Sequence, residues 1–163
     1  MPTKAPMRNA RLAHIQIQYA TSRRGVPHAR RLRAWALRAL LSQRGELCIR
    51  VVGAGEGRDL NRRWRRKDRP TNVLSFPAAP TNHESRVTNH VLLGDLVICA
   101  PVVAREARDQ GKTLSAHWAH MVVHGVLHLL GHDHVKNRDA KKMAAREVEI
   151  LSHFGYQDPY LSH

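Results

Sequence analysis

Apolar residues recur along this chain with two different periods, and the change of period separates its elements. Over residues 14–19 they come at every second position, with Ile15 and Ile17 facing one way, which is the pattern of a half-buried strand. After Pro27, which can open a helix, Leu32, Trp35, Ala36, Ala39 and Leu40 stand three and four residues apart. They predict a helix that runs to about Gln43 and stops at Gly45. A short strand at 47–52, a helix from near Gly57 to Arg66, and strands at 72–75 and 93–98 follow. The remainder reads as helical: 101–110, 115–130 and 138–154, the last closed by Gly155. Early strands and late helices predict an α+β fold, a small mixed β-sheet of about four strands packed with five or so helices. At 163 residues and 42% hydrophobic content the expectation is a single domain over 1–163. Such a domain buries roughly two thirds of its unfolded surface and needs no disulfide support.

Composition narrows the setting. Cys48 and Cys99 lie in apolar strand-like runs and read as reduced core residues of a cytoplasmic protein. No stretch has the length of a membrane span, and the basic N-terminal residues lack the apolar core of a signal peptide. The charge is lopsided. Residues 1–70 carry 18 Lys/Arg against 4 Asp/Glu, whereas residues 71–163 carry 9 of each, so the first 70 positions hold the whole net charge of +14. The densest run is Arg62, Arg63, Trp64, Arg65, Arg66, Lys67, Asp68, Arg69. A basic cluster of this kind fits a polyanion, and arginine matches phosphate oxygens two at a time. The alternatives are a merely solvated face or a general bias toward arginine, both disfavoured if a metal site lies beside it. Trp64 could stack on an unpaired base, but in an amphipathic helix core packing is the expectation.

Six of the 12 histidines fall between His117 and His134. His120, His124 and His128 form one i, i+4 stripe, whose ends lie roughly 12 Å apart along a helix axis, too far to share an ion. At most two of them bind one metal. Gly131 can adopt the left-handed backbone that ends a helix and reverses the chain, which favours His124 and His128 with His134 as the third ligand. His132 in place of His134, or a pair shifted to His120 and His124, are the alternatives. His117 and His120 otherwise read as packing residues or as partners of the ligands. Three imidazoles leave a fourth position for water, as in a catalytic zinc site, although imidazole suits several metals. The zinc-peptidase pattern His-Glu-x-x-His has its general base where this chain has Gly125. A mid-helix glycine costs about 1 kcal/mol relative to alanine, and implies that another backbone or a ligand comes close there.

Two long blocks then carry a family resemblance. One is Leu60-Asn61-Arg62-Arg63-Trp64-Arg65-Arg66-Lys67-Asp68-Arg69-Pro70-Thr71-Asn72-Val73-Leu74-Ser75-Phe76-Pro77. The other runs from Leu92-Leu93-Gly94-Asp95-Leu96-Val97-Ile98-Cys99 through His117-Trp118-Ala119-His120 and the histidine motif to Gly155-Tyr156. Together they resemble the YbeY family of single-strand-specific endoribonucleases of ribosomal RNA maturation. The resemblance implies one zinc ion on His124, His128 and His134, on a C-terminal helix and the turn after it. It implies Arg65 as the arginine required for activity, with RNA contacts from Arg62, Arg63, Arg66, Lys67 and Arg69. It further implies processing of the 16S rRNA 3′ end, ribosome quality control, and partners in the small ribosomal subunit, including a ribosomal protein and a ribosome-assembly GTPase. The family's tyrosine before Asp133 is His132 here, and residues 1–11 and 78–91 follow no pattern of the family. The competing expectations are a zinc hydrolase of another substrate class, such as a peptidase or amidase, and a non-catalytic RNA-binding module stapled by zinc.

Overall fold

The computed structural model describes residues 13–79, 91–132 and 135–161. The expectations placed on residues 1–11, on most of 78–91, and on Asp133 and His134 lie outside the described residues. Four strands, β1 (His14–Tyr19), β2 (Glu46–Val52), β3 (Val73–Pro77) and β4 (Leu92–Cys99), form one sheet in the order β1-β2-β4-β3. β1, β2 and β4 run parallel, and β3 pairs antiparallel with β4 at the edge. Five helices accompany it: α1 (Ala29–Leu40), α2 (Ala54–Arg65), α3 (Ala100–Asp109), α4 (Leu114–Leu129) and α5 (Asn137–His153). This is the α+β class, with every anticipated element present.

Alternation along the strands decides which face is buried. Ile15, Leu47, Ile49, Val51, Leu96 and Ile98 point to one side, where α1, α4 and α5 supply Leu32, Trp35, Trp118, Val122, Val126, Met143 and Ile150. A smaller cluster of Val52, Leu74, Val97, Cys99 and Val102 forms on the other side, with Leu60 of α2 and Phe76 of β3 against it. Helix α4 is buried on nearly every face, so it reads as an almost unbroken apolar run rather than a stripe. Thr113 caps it, its hydroxyl accepting the Ala116 N–H at 3.1 Å.

The differences from the sequence expectations have local causes. Helix α2 begins at Ala54 rather than near Gly57, whose N–H already bonds the Gly53 carbonyl at 3.0 Å. Gly57 instead permits close packing, because a Cβ there would sit 3.0 Å from Cys99 Sγ. Strand β3 extends to Pro77, which an edge strand tolerates because its outer N–H positions need no partner. Cys99 is buried, but Cys48 is only half-buried. It lies opposite Leu47 and Ile49, on the face that α2 covers only in part.

Candidate metal centre and arginine platform

Helix α4 carries the histidines, and its end is built as the sequence predicted. Gly131 has φ +93°, the Gly131 N–H bonds the His128 carbonyl, and the His132 N–H bonds the Leu127 carbonyl, both at 3.0 Å. These are the paired bonds of a Schellman motif, which halts the helix and turns the chain back. Along this helix the His124 and His128 rings lie 4.7 Å apart between centroids, against 6.0 Å for His120 and His124.

A carboxylate that sequence reasoning missed joins this row. Glu147 of α5 is fully buried, and its two oxygens divide the cluster between them. Oε1 accepts from His124 Nδ1 at 2.8 Å; Oε2 accepts from His120 Nε2 at 2.5 Å and from the Tyr160 hydroxyl at 2.5 Å. Burial works against charge on Glu147, but the hydrogen bonds from His120, His124 and Tyr160 outweigh it and hold the carboxyl down to about 2. The same burial, with the carboxylate beside it, pushes the Tyr160 phenol well above its ordinary range. The one sequence signal for Glu147 is its place on the apolar stripe of α5, in line with Met143, Ile150 and Leu151. An acid on such a stripe is buried and must find donors.

His120, His124 and Glu147 bring donor atoms within 4.8 Å of one another, a set that could hold a metal ion. Two ligands on one tetrahedral zinc stand about 3.3 Å apart, given bonds of about 2.0 Å. The two His–Glu separations are shorter than that and are hydrogen bonds. An ionised carboxylate only accepts, so both rings must donate to it. His124 therefore carries a proton on Nδ1, and the neutral form of such a ring has its lone pair on Nε2, which is what a zinc-type ion takes. The chemistry of the donor set fits the ion that the sequence implied.

His117, expected to pack, is buried and donates from Nε2 to Glu106 at 2.9 Å. Asn72 donates to both oxygens of Glu106, at 3.0 and 3.1 Å. This chain of bonds ties the start of β3 to α3 and α4.

The arginines sit at the end of α2. Arg62, Arg63, Arg65, Arg66, Lys67 and Arg69 are all exposed, and Arg65 has no side-chain partner among the described residues. Two contacts shape the segment that carries them. Buried Asn61 donates to the Arg69 carbonyl at 2.7 Å, and Arg58 grips Asp68 through two bonds of 2.8 Å. Trp64 is not a core residue: it is 62% exposed and meets Phe76 edge-on at 5.9 Å. Helix α2 is too polar on that side to bury it, so the indole rests on the edge strand. The neighbouring strand residue, Ser75, points the other way and donates to the Gly125 carbonyl at 3.1 Å. Two consecutive residues of β3 thus link the arginine platform to the histidine helix.

Comparison with known proteins decides the family. A sequence profile described as Endoribonuclease YbeY matches residues 16–155. The chain belongs to the YbeY endoribonuclease family. An Endoribonuclease YbeY of Stenotrophomonas maltophilia is 51% identical over 160 residues, 97% of each chain. That of Stutzerimonas stutzeri is 54% identical over 136 residues, 82% of this chain and 83% of its own. A Thermotoga maritima protein solved in solution shares the fold, with a TM-score of 0.55 at 21% identity over 90% of this chain and 99% of that one. In this YbeY family member, no helix among the described residues is long and apolar enough to cross a membrane.

Proposed function

We propose that this chain is a zinc-dependent endoribonuclease that cuts single-stranded RNA in the cytoplasm, acting as a single domain on rRNA. The observation that carries the reading is the His124 ring, oriented through Nδ1 by the buried Glu147 carboxylate, beside His128 on a helix that ends in a reversing turn. We assign His124, His128 and His134 as the ligands. Zinc, when bound, supplies a Lewis acid and lowers the pKa of a coordinated water toward about 7.

The chain's own residues supply the rest. Arg65 is exposed at the end of α2 and takes a substrate phosphate through its fork of N–H donors, offsetting charge that grows as the phosphodiester is cut. Arg62, Arg63, Arg66, Lys67 and Arg69 track the backbone on either side, which makes binding fall steeply with salt. The outward-facing Trp64 offers a surface for an unpaired base, in keeping with a single-stranded substrate. Membership of the YbeY family, rather than the site geometry, supports the role we assign: maturation of the 16S rRNA 3′ end and ribosome quality control on the small subunit, in the company of a ribosomal protein and an assembly GTPase. A peptidase reading is disfavoured because position 125 faces Leu96 and Val73 of the sheet, not the histidine cluster.

The test is cleavage of a single-stranded RNA by zinc-loaded protein. His124→Ala should lose both zinc and cutting. Arg65→Ala should keep zinc and lose about 10²-fold or more in turnover. Normal turnover by Arg65→Ala would remove the arginine from the mechanism. A 2′,3′-cyclic phosphate on the products would assign the attack to the ribose rather than to water.

A further inference from the structure

The interior of the histidine cluster contains more than the proposed ligands require. Among the described residues Glu147 is the only buried acid, and it accepts three hydrogen bonds, one from a proposed ligand and two from groups outside the ligand set. We propose that Glu147 is the positioning residue of the metal centre, fixing the ring angle and tautomer of His124, and is itself held in place by His120 and Tyr160. The proposal rests on His124 being a ligand, as argued above.

Three features support it. First, the two carboxylate oxygens have separate tasks: Oε1 serves His124 alone, whereas Oε2 serves His120 and Tyr160. The carboxylate is thus pinned at one end and directs a ligand with the other. Second, His120 stands one helical turn before His124 and faces Tyr160 edge-on at 5.5 Å, which packs the ring against the pinned end. Third, the segment bearing Tyr160 is anchored independently. Lys112 Nζ, in the turn between α3 and α4, donates to the Pro159 carbonyl at 2.8 Å, and the Tyr160 N–H bonds Asp158 Oδ1 at 2.8 Å. The segment after α5 therefore closes over the cluster and supplies a hydroxyl to it. Metal-bound histidines commonly donate their second N–H to a carboxylate, and loss of that partner typically weakens metal binding 10–100-fold. In this chain the carboxylate comes from α5 and its own support from residue 160, so the segment after α5 governs how tightly the ion is held.

Histidine ring NMR on full-length protein with 15N-labelled imidazoles tests this without reference to catalysis. Metal-free wild type should show His124 as the Nδ1–H tautomer; an Nε2–H tautomer would overturn the proposal. On adding zinc, the Nε2 signal of His124 should move to the metal-bound range while His120 Nε2 remains protonated. A zinc-bound His120 would instead make Glu147 and His120 ligands, and the proposal would fail. Competition with a chromophoric chelator gives the second readout. Glu147→Gln should bind zinc 10–100-fold more weakly, because its amide can accept from only one of the two rings and turns an N–H toward the other. Tyr160→Phe removes the hydroxyl that bonds Glu147 Oε2 and lies 3.4 Å from His120 Nε2, on a residue that is half exposed, and should weaken zinc by a smaller factor with the metal-free fold intact. Wild-type zinc affinity in Tyr160→Phe, or in a folded Glu147→Gln, would refute the supporting role assigned to that residue. Absence of zinc binding by wild type would instead defeat the function proposed above, while the tautomer of His124 would still decide the present question.

Discussion

Replacing Gly125 tests the contact that separates this helix from a zinc-peptidase helix. A Cβ at that position would sit 2.9 Å from Leu96 Cδ2, 3.2 Å from Leu96 Cδ1 and 3.1 Å from Val73 Cγ2. Both methyls of Leu96 crowd the site, so rotating that side chain exchanges one clash for another, and Leu96 is fully buried. Alanine gains about 1 kcal/mol of helix propensity over glycine. Overpacking a filled core costs about 1–3 kcal/mol. The net for Gly125→Ala is a loss of about 1 kcal/mol, or about 2–4 °C in Tm for a chain of this size. Gly125→Glu, which restores the peptidase motif, would press a carboxylate between Leu96 and Val73 and should cost several times more. Urea and thermal unfolding of metal-free protein measure both. A Gly125→Ala variant more stable than wild type would refute the argument, since it would mean that α4 and the sheet are not in tight contact at this residue.

Other predictions follow from single contacts. Gly131→Ala, at φ +93°, should destabilise the turn after α4 by about 1 kcal/mol and weaken zinc binding more than it lowers the Tm, as chelator competition would show. Asn61→Ala removes a buried bond to the Arg69 carbonyl. It should cost about 1–3 kcal/mol and loosen the arginine segment, read as weaker RNA binding with zinc affinity unchanged. Metal-free protein should lose stability in acid in two stages. Burial depresses His117 despite its bond to Glu106, so the unfolded chain takes up a proton first and stability declines as the pH drops below about 6.5. Glu147, lowered from 4.5 to about 2, adds stability that is present above about 4.5 and lost as the pH falls toward 2, on the order of 3 kcal/mol in all. Urea melts from pH 7 to pH 3 check the sign, and Glu147→Gln should flatten the lower stage.

The sequence by itself determined the elements, because each depends on a local period: alternation in β1 and β2, three-and-four spacing in α1, a reversing glycine after α4 and α5. It also determined the proposed ligand helix, since His124 and His128 share a face by helical geometry alone. Tertiary structure decided everything that depends on what packs opposite. It turned Trp64 outward onto Phe76, left Cys48 half-buried, and filled the space beside Gly125 with Leu96 and Val73 rather than with a backbone or a ligand. It also brought Glu147, 23 residues after His124, and Tyr160 into the histidine cluster. Spacing along one helix constrains only neighbours on that helix, whereas a hydrogen bond between α4 and α5 is fixed by how two helices pack, and no local period encodes that.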